Sequence, residues 1–339
     1  MRSGDEGSVQ IGVLLGIAAQ LKEMHIDPAQ LLEASGLPAS SFDDPEFRIS
    51  YAAAGSLFER CADATGCAHF GLLAGQRVGM AALGVLGELV ERSRTVQSAL
   101  QSVVAHFHLR TRGGMPTFEV GATTACLGYA IYLRDAHGTA QICDFALALE
   151  LNVMRALCGA SWQPTEVLFA HAGPADPAPY RRFFGSRLRF NSERSGLVFA
   201  RKWLDVLPPR SDAERHRRLQ LQVLALAREE AGDLVDRVRR SLRTMVLNGK
   251  ATEALTCGLF AVSARTLHRL LAARGTSFRR LLDEVRYEVA RQLLADTDIP
   301  IGQVAASLDY ADASAFVRAF RRWTDVSPAA WRLEVLARR

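Results

Sequence analysis

Most signatures of a catalyst, a metalloprotein or a membrane protein are missing from these 339 residues. There is no H-E-x-x-H, no G-x-S-x-G and no phosphate-binding G-x-x-x-x-G-K-[ST] loop. GMAALGVLGEL, Gly79 to Leu89, is dotted with glycine but lacks the G-x-G-x-x-G spacing, and no strand feeds it. Its glycines are read as allowing close helix packing. The six cysteines (Cys61, Cys67, Cys126, Cys143, Cys158, Cys257) contain no C-x-x-C pair, in a chain too long to need disulfide staples. They are read as free thiols. The eight histidines also lack ligand spacing, since the nearest pair, His106 and His108, would point to different sides of a helix. No catalytic residue, metal or cofactor is therefore expected. The apolar run Ile11 to Ala19 is too short to span a bilayer, with only Arg2 ahead of it and Asp5 and Glu6 close by. At helical period Val9, Leu14, Ile17 and Leu21 share one side, which predicts a buried helix. With no targeting or membrane segment, a cytoplasmic location is expected. There is also no fixed-period repeat and no low-complexity tract.

What is present is enough apolar residue, 49% of a long chain, for a sizeable core and more than one domain. The net charge of +5 is unevenly spread. From residue 231 onward there are 18 Lys and Arg against 12 Asp and Glu, whereas the preceding 230 residues hold 23 against 24. A basic last third beside a near-neutral larger part fits a nucleic-acid-binding module joined to a domain with other work.

The first two thirds mix periods. Helices are predicted at Val9 to Met24, Ser50 to Ala64, Leu83 to Arg92, Thr95 to Leu109 and Ala140 to Leu157. Thr117 to Asp135 alternates and is rich in β-branched and aromatic residues, which predicts a hairpin. Further strands are predicted in EVLFAHA from Glu166, and in the pair RLRFN and GLVFARKWL around a turn at Ser192 to Gly196. The sum is an α+β domain over residues 1–207. Pro208, Pro209 and the charge-dense SDAERHRRLQ mark a connector over residues 208–230.

Residues 231–339 read as wholly helical. In AGDLVDRVRRSLRTMVLNG, Leu234, Val238, Leu242, Met245 and Val246 share one side, and Asn248-Gly249 suits a left-handed helix end. A short helix follows in ATEALTCGLF. Ser263 then caps SARTLHRLLAARG, closed by Gly275, and Ser277 caps the longer SFRRLLDEVRYEVARQLLAD. In the first of these, Leu267, Leu270 and Leu271 anchor one face while Arg265, His268 and Arg269 project from the N-terminal half. That is the half a helix-turn-helix protein offers to the major groove. The design repeats: behind a supporting helix at Ile301 to Leu308, DASAFVRAFRRW buries Phe316, Phe320 and Trp323 and turns Ala313, Ser314, Val317, Arg318 and Arg321 outward. The helix between the two, about twenty residues at 1.5 Å each, makes a rod of roughly 30 Å. One turn of DNA is roughly 34 Å, so the rod could set two readers in successive major grooves.

Val262 to Arg332 resembles the DNA-binding domain of AraC/XylS-type bacterial transcription regulators, above all in SARTLHRLL with SFRRLLDEVR and in ASAFVRAFRRW with SPAAWR. The resemblance implies that Arg265, His268 and Arg269 belong to the first recognition helix and Ala313, Ser314, Val317 and Arg318 to the second. Arg318 is the foremost candidate for a base contact, because arginine can donate two hydrogen bonds to guanine. Arg279, Arg280, Arg321 and Arg322 are candidate phosphate contacts. The chain departs from the family at three turns, with Ala261, Asp309 and Asp325 where glycine is common. The first two thirds are similar to the longer sensor domains of the branch holding ornithine and virulence regulators. Arg110, Arg112, Tyr129, Tyr132 and Trp162 could line an effector cavity there, and core packing or surface exposure explains each equally well. The implied function is a sequence-specific regulator, an activator controlled by a small-molecule effector or by dimerisation. Its implied partners are double-stranded promoter DNA, RNA polymerase and a second copy of the chain. An effector-independent repressor and a helical interaction protein without enzymatic activity are the alternatives.

Overall fold

The structure is a computed structural model and describes residues 7–133, 136–229, 234–247, 251–260 and 263–336. Two compact units divide the chain: Met1–Phe190 with Arg194–Arg228, and Glu229–Arg339 with Asn191–Glu193. Each has its own apolar core.

The first unit opens with strand β1 (Ser8–Gln10) and helices α1 (Ile11–Glu23) and α2 (Pro28–Ala34). Then come β2 (Arg48–Ser50), α3 (Tyr51–Thr65), α4 (Phe70–Gln76), α5 (Val85–Glu91) and α6 (Val96–His106). After β3 (Thr111–Arg112), β4 (Gly114–Val120) and β5 (Thr124–Ile131) form the expected hairpin, its turn closed by Gly121 N–H donating to Thr124 O at 2.8 Å. The long α7 (Thr139–Cys158) precedes β6 (Glu166–Leu168), α8 (Ala178–Phe184), β7 (Arg187–Arg189), β8 (Ser195–Ala200) and α9 (Ala213–Glu229).

A five-stranded sheet runs β4-β5-β8-β6-β7, and a small antiparallel sheet runs β2-β1-β3. The predicted strands RLRFN and GLVFARKWL exist as β7 and β8, but they are not neighbours, because β6 lies between them. The reason lies in their side chains. Val167 and Leu168 of β6 are buried on both faces, whereas Arg187 and Arg189 of β7 flank Leu188 in an exposed, alternating pattern that suits an edge. The first predicted helix is also shorter than its periodicity suggests, since Val9 and Gln10 pair with β2 and helix begins at Ile11.

Helix α7 packs closely on α4. A Cβ on Gly75 would stand 2.5 Å from the Phe145 carbonyl oxygen, so only glycine permits the approach. In the glycine-dotted stretch before it, Gly84 (φ +55°) serves a left-handed turn against the Arg110 guanidinium. The charged stretch expected as a connector forms α9. Its Leu219 and Val223 are buried in the first core, Arg215 pairs with Glu88 at 2.9 Å, and His216 meets the Leu89 carbonyl at 3.2 Å. None of the six cysteines is in a disulfide. Among the described residues no helix is long and apolar enough to cross a membrane.

The second unit is helical: α10 (Leu234–Leu247), α11 (Glu253–Phe260), α12 (Ala264–Ala272), α13 (Phe278–Asp296), α14 (Ile301–Ser307), α15 (Ala313–Thr324) and α16 (Pro328–Leu336). Val238, Leu242 and Val246 of α10 are buried as the period requires, and Arg243 joins it to α13 through a buried fork onto Glu288 Oε2, at 2.7 and 3.0 Å. The helix end expected at Asn248-Gly249 and the turn at Ala261 lie outside the described residues.

Candidate nucleic-acid interface

Each reader helix is set by its own first residues. Ser263 Oγ accepts from the Thr266 N–H at 3.2 Å and Asp312 Oδ1 from the Ala315 N–H at 2.7 Å, so both helices start where a side chain can satisfy an orphan amide. Beneath α12, Leu267 and Leu271 are fully buried, and beneath α15, Phe316 and Phe320. The turns beside the second reader use the left-handed region: Asp309 has φ +60° and Asp325 φ +62°. The carboxylate of Asp309 also lies 3.8 Å from the Arg286 guanidinium.

Arg265, His268 and Arg269 are all exposed on α12. Arg265 and Arg269 pair with no acid among the described residues, whereas His268 Nε2 lies 3.0 Å from Glu253 Oε1 of α11. On α15, Ala313, Ser314 and Arg318 are exposed and Val317 is half-buried. Arg318 has no acidic partner among the described residues.

The four candidate phosphate contacts fall into two groups. Arg279, Arg280 and Arg322 line one open groove of about 450 Å³ between the start of α13 and the end of α15, together with Asp283, Glu284 and Trp323. Two of the three arginines are already engaged there, Arg280 with Glu284 at 3.1 Å and Arg322 with Asp283 at 3.1 Å. Arg321 is exposed but outside that lining. Arg279, without an acidic partner among the described residues, is the more available of the groove's charges.

The rod between the readers, α13, has 19 residues and so a length of roughly 28 Å. It is held by Val285, Val289 and Leu294 in the core and by Arg239–Glu284 and Arg243–Glu288 pairs to α10.

Of the five candidate cavity residues in the first unit, Tyr129 lines two small internal voids among the described residues. Arg110 is consumed by structure, donating to Leu83 O at 2.9 Å, to Glu46 Oε1 at 2.9 Å and to Gln10. Trp162 is packed edge-on against Phe199, Tyr132 is buried and Arg112 is half-buried.

Two buried carboxyls of α7 escaped the sequence reading. Asp144 accepts from Tyr180 OH at 2.5 Å and meets His171 Nε2 at 3.0 Å. Burial pulls His171 down, but the hydrogen bond and charge of Asp144 outweigh it, so its pKa is raised. Glu150 is different. Both its oxygens are buried without a hydrogen-bond partner among the described residues, and burial pushes its carboxyl well above the ordinary carboxylate range. The available signal was a lone acid inside the apolar run ALALELNVM.

Comparison with known proteins accords with this division. Residues 26–206 match the model described as the arabinose-binding domain of AraC transcription regulator, N-terminal, and residues 257–334 match a helix-turn-helix domain model. The ornithine utilization regulator of Pseudomonas aeruginosa is 26% identical over 316 residues, covering 91% of this chain and 92% of that protein. The HTH-type transcriptional regulator VirS of Mycobacterium tuberculosis is 24% identical over 327 residues, 94% of each. The transcriptional activator NphR of a Rhodococcus species is 33% identical over 98 residues, 29% of each. With a sensor-domain match over more than half its length and a helix-turn-helix match behind it, the chain belongs to the AraC family of DNA-binding transcription regulators.

Proposed function

We propose that this regulator reads promoter DNA with α12 and α15 in successive major grooves, and that its first unit governs that reading in response to a small molecule or to pairing with a second copy. The observation that carries the DNA assignment is the duplication. Two capped helices, each seated on a buried apolar stripe, present exposed arginines and are joined by a rod close to one DNA turn in length. In this reading Arg318 contacts a base edge and Ser314 and Val317 lie over neighbouring bases. Arg265, His268 and Arg269 serve the first groove, and Arg279, Arg280, Arg321 and Arg322 face phosphates. The similarity to an activator over the last third favours activation, through contact with RNA polymerase, in the cytoplasm.

Self-association has its own support. Leu221 and Leu224 of α9, three residues apart on one helix face, are 66% and 39% exposed. A second copy is the occupant that would cover them.

Footprinting on the promoter of its own or a neighbouring gene, with the full chain and with a fragment from residue 231, tests the division. The fragment should protect part of the full-length footprint, bind more weakly and lose any effector response. A folded fragment that protects no part of it would show that the readers do not suffice.

A further inference from the structure

We propose that His171 is a pH-sensitive latch: as an imidazolium it pins residues 170–177 against α7 and α8, and loss of its proton releases them. These residues run as a strap without regular structure from the end of β6 to the start of α8, with Ala172, Gly173, Ala175 and Asp176 exposed. The strap begins on a cluster of rings. Phe169 is fully buried, stacks on Phe190 at 4.7 Å and meets Tyr180 edge-on at 5.5 Å. The His171 ring lies 5.4 Å from Phe169 and 5.9 Å from Phe190, and 19% of its side chain is exposed. The two ends of the strap have ties of their own. Ala170 N–H donates to Ser195 Oγ at 3.1 Å, and Asp176 Oδ1 accepts from the Ala178 N–H at 2.9 Å.

The ring's two contacts fix its protonation. Nε2 lies 3.0 Å from Asp144 Oδ1 and Nδ1 lies 2.9 Å from the Ala172 carbonyl oxygen, whereas a neutral imidazole has a single N–H for those two acceptors. Tyr180 OH donates to Asp144 Oδ2 at 2.5 Å, which favours the carboxylate over the acid, so the second proton belongs to the ring. Without it one ring nitrogen would face an oxygen lone pair to lone pair, and the ring must turn away or the strap must leave. The other titratable groups around the pair are Cys67 and His69 ahead of α4, Asp176 in the strap and Arg182 of α8. Burial pushes the Cys67 thiol up and His69 down, so neither takes up a charge as His171 loses its own, and Asp176 and Arg182 are of opposite sign. Phe169 and Phe190 bring no charge from the sheet side. Burial pulls His171 down while the hydrogen bond and charge of Asp144 outweigh it, so the ring's pKa in the folded chain stands above the ordinary value of about 6.5. The latch is therefore fully engaged below that pH and is lost as pH rises through the folded pKa.

The test uses the full chain and two readouts, an NMR titration of the imidazole rings and the rate at which proteinase K nicks residues 170–177. At each pH the nicking rate is referred to that of a free peptide of the same sequence, which removes the protease's own pH dependence. The His171 resonance, identified by its loss in His171→Gln, should titrate above about pH 6.5 and should move down in Asp144→Asn. Relative nicking should rise over the same range, by roughly tenfold for each pH unit that separates the ring's folded pKa from 6.5, because cleavage then follows the population of the open strap. In His171→Gln, which keeps an amide donor for Asp144 and has nothing to titrate, relative nicking should not vary with pH. A ring that titrates at or below pH 6.5, relative nicking of the wild type that stays flat, or an equal rise in His171→Gln would each overturn the proposal. Should either variant fail to fold, the wild-type nicking profile decides by itself: a rise above pH 6.5 supports the latch and a flat profile removes it.

Discussion

The two reader helices share a plan and differ in how firmly they are held. Helix α12 rests on two leucines, ends at a left-handed glycine (Gly275, φ +72°) and has one of its candidate contacts, His268, tied back to Glu253. Helix α15 rests on an aromatic cluster. Phe316 and Phe320 stand 5.7 Å apart, Tyr287 and Trp331 each about 6.0 Å from Phe320, and Tyr310 5.6 Å from Phe316 beneath the Arg286 guanidinium. Aromatic pairs fix orientation as well as burying area, so the second reader is presented at a more determined angle. Base readout depends on placing a bidentate donor within a few tenths of an ångström, whereas attraction to phosphate tolerates looseness. On the proposed reading of DNA by both helices, the contrast favours α15 for sequence discrimination and α12 for general affinity.

The largest expected effect lies in the seating. Phe320→Ala should destabilise the second unit by about 3 to 5 kcal/mol, and Leu271→Ala by about 2 to 3 kcal/mol, measured by urea unfolding followed at Trp323 and Trp331. Equal costs would erase the difference between the two seats. Next comes readout. Arg318→Ala should weaken binding to a selected site by roughly 1 to 3 kcal/mol and relax preference at one base position. Arg265→Ala should instead weaken selected and scrambled duplexes alike and lower the salt slope by about one unit. A base preference lost with Arg265 and kept without Arg318 would reverse the assignment.

Two smaller effects sharpen the comparison. Glu253→Gln frees His268 and removes a negative charge beside the first reader, so DNA should bind tighter by about 0.2 to 1 kcal/mol, with the gain fading at high salt. Unchanged affinity in gel shifts at low salt would mean that α11 stands clear of the duplex. Asp309→Gly relieves a left-handed residue but removes the weak pair with Arg286, leaving a net gain below about 1 kcal/mol in the urea midpoint of the second unit. A lowered midpoint would show that the pair outweighs the relief.

Local signals in the sequence were readable because their physics is local. The caps Ser263 and Ser277 each bond an amide three residues on, and the leucine and phenylalanine stripes follow the helical period within a single element. What the sequence left open depends on distant segments. The placement of β6 between β7 and β8 joins stretches that lie on opposite sides of α8 in the chain. The partners of Asp144 lie 27 and 36 residues away, and nothing in ALALELNVM says that Glu150 has none. The tie from His268 to Glu253 joins side chains of two different helices, which the period of neither helix reveals. The proposed base-reading residues were legible as positions on the outer side of a helix; which of their neighbours are already paired was not.

The spacing between readers gives the most direct test of the two-groove assignment. Affinity should be measured by gel shift on a selected site and on the same site with half a DNA turn, about 5 bp, or a whole turn inserted between its two parts. A rod set by the 19 residues of α13 cannot stretch, so both insertions should reduce binding to the level of a single reader. Recovery with the whole-turn insertion, or equal affinity for all three duplexes and a scrambled one, would contradict the reading of two grooves by two helices on one rod.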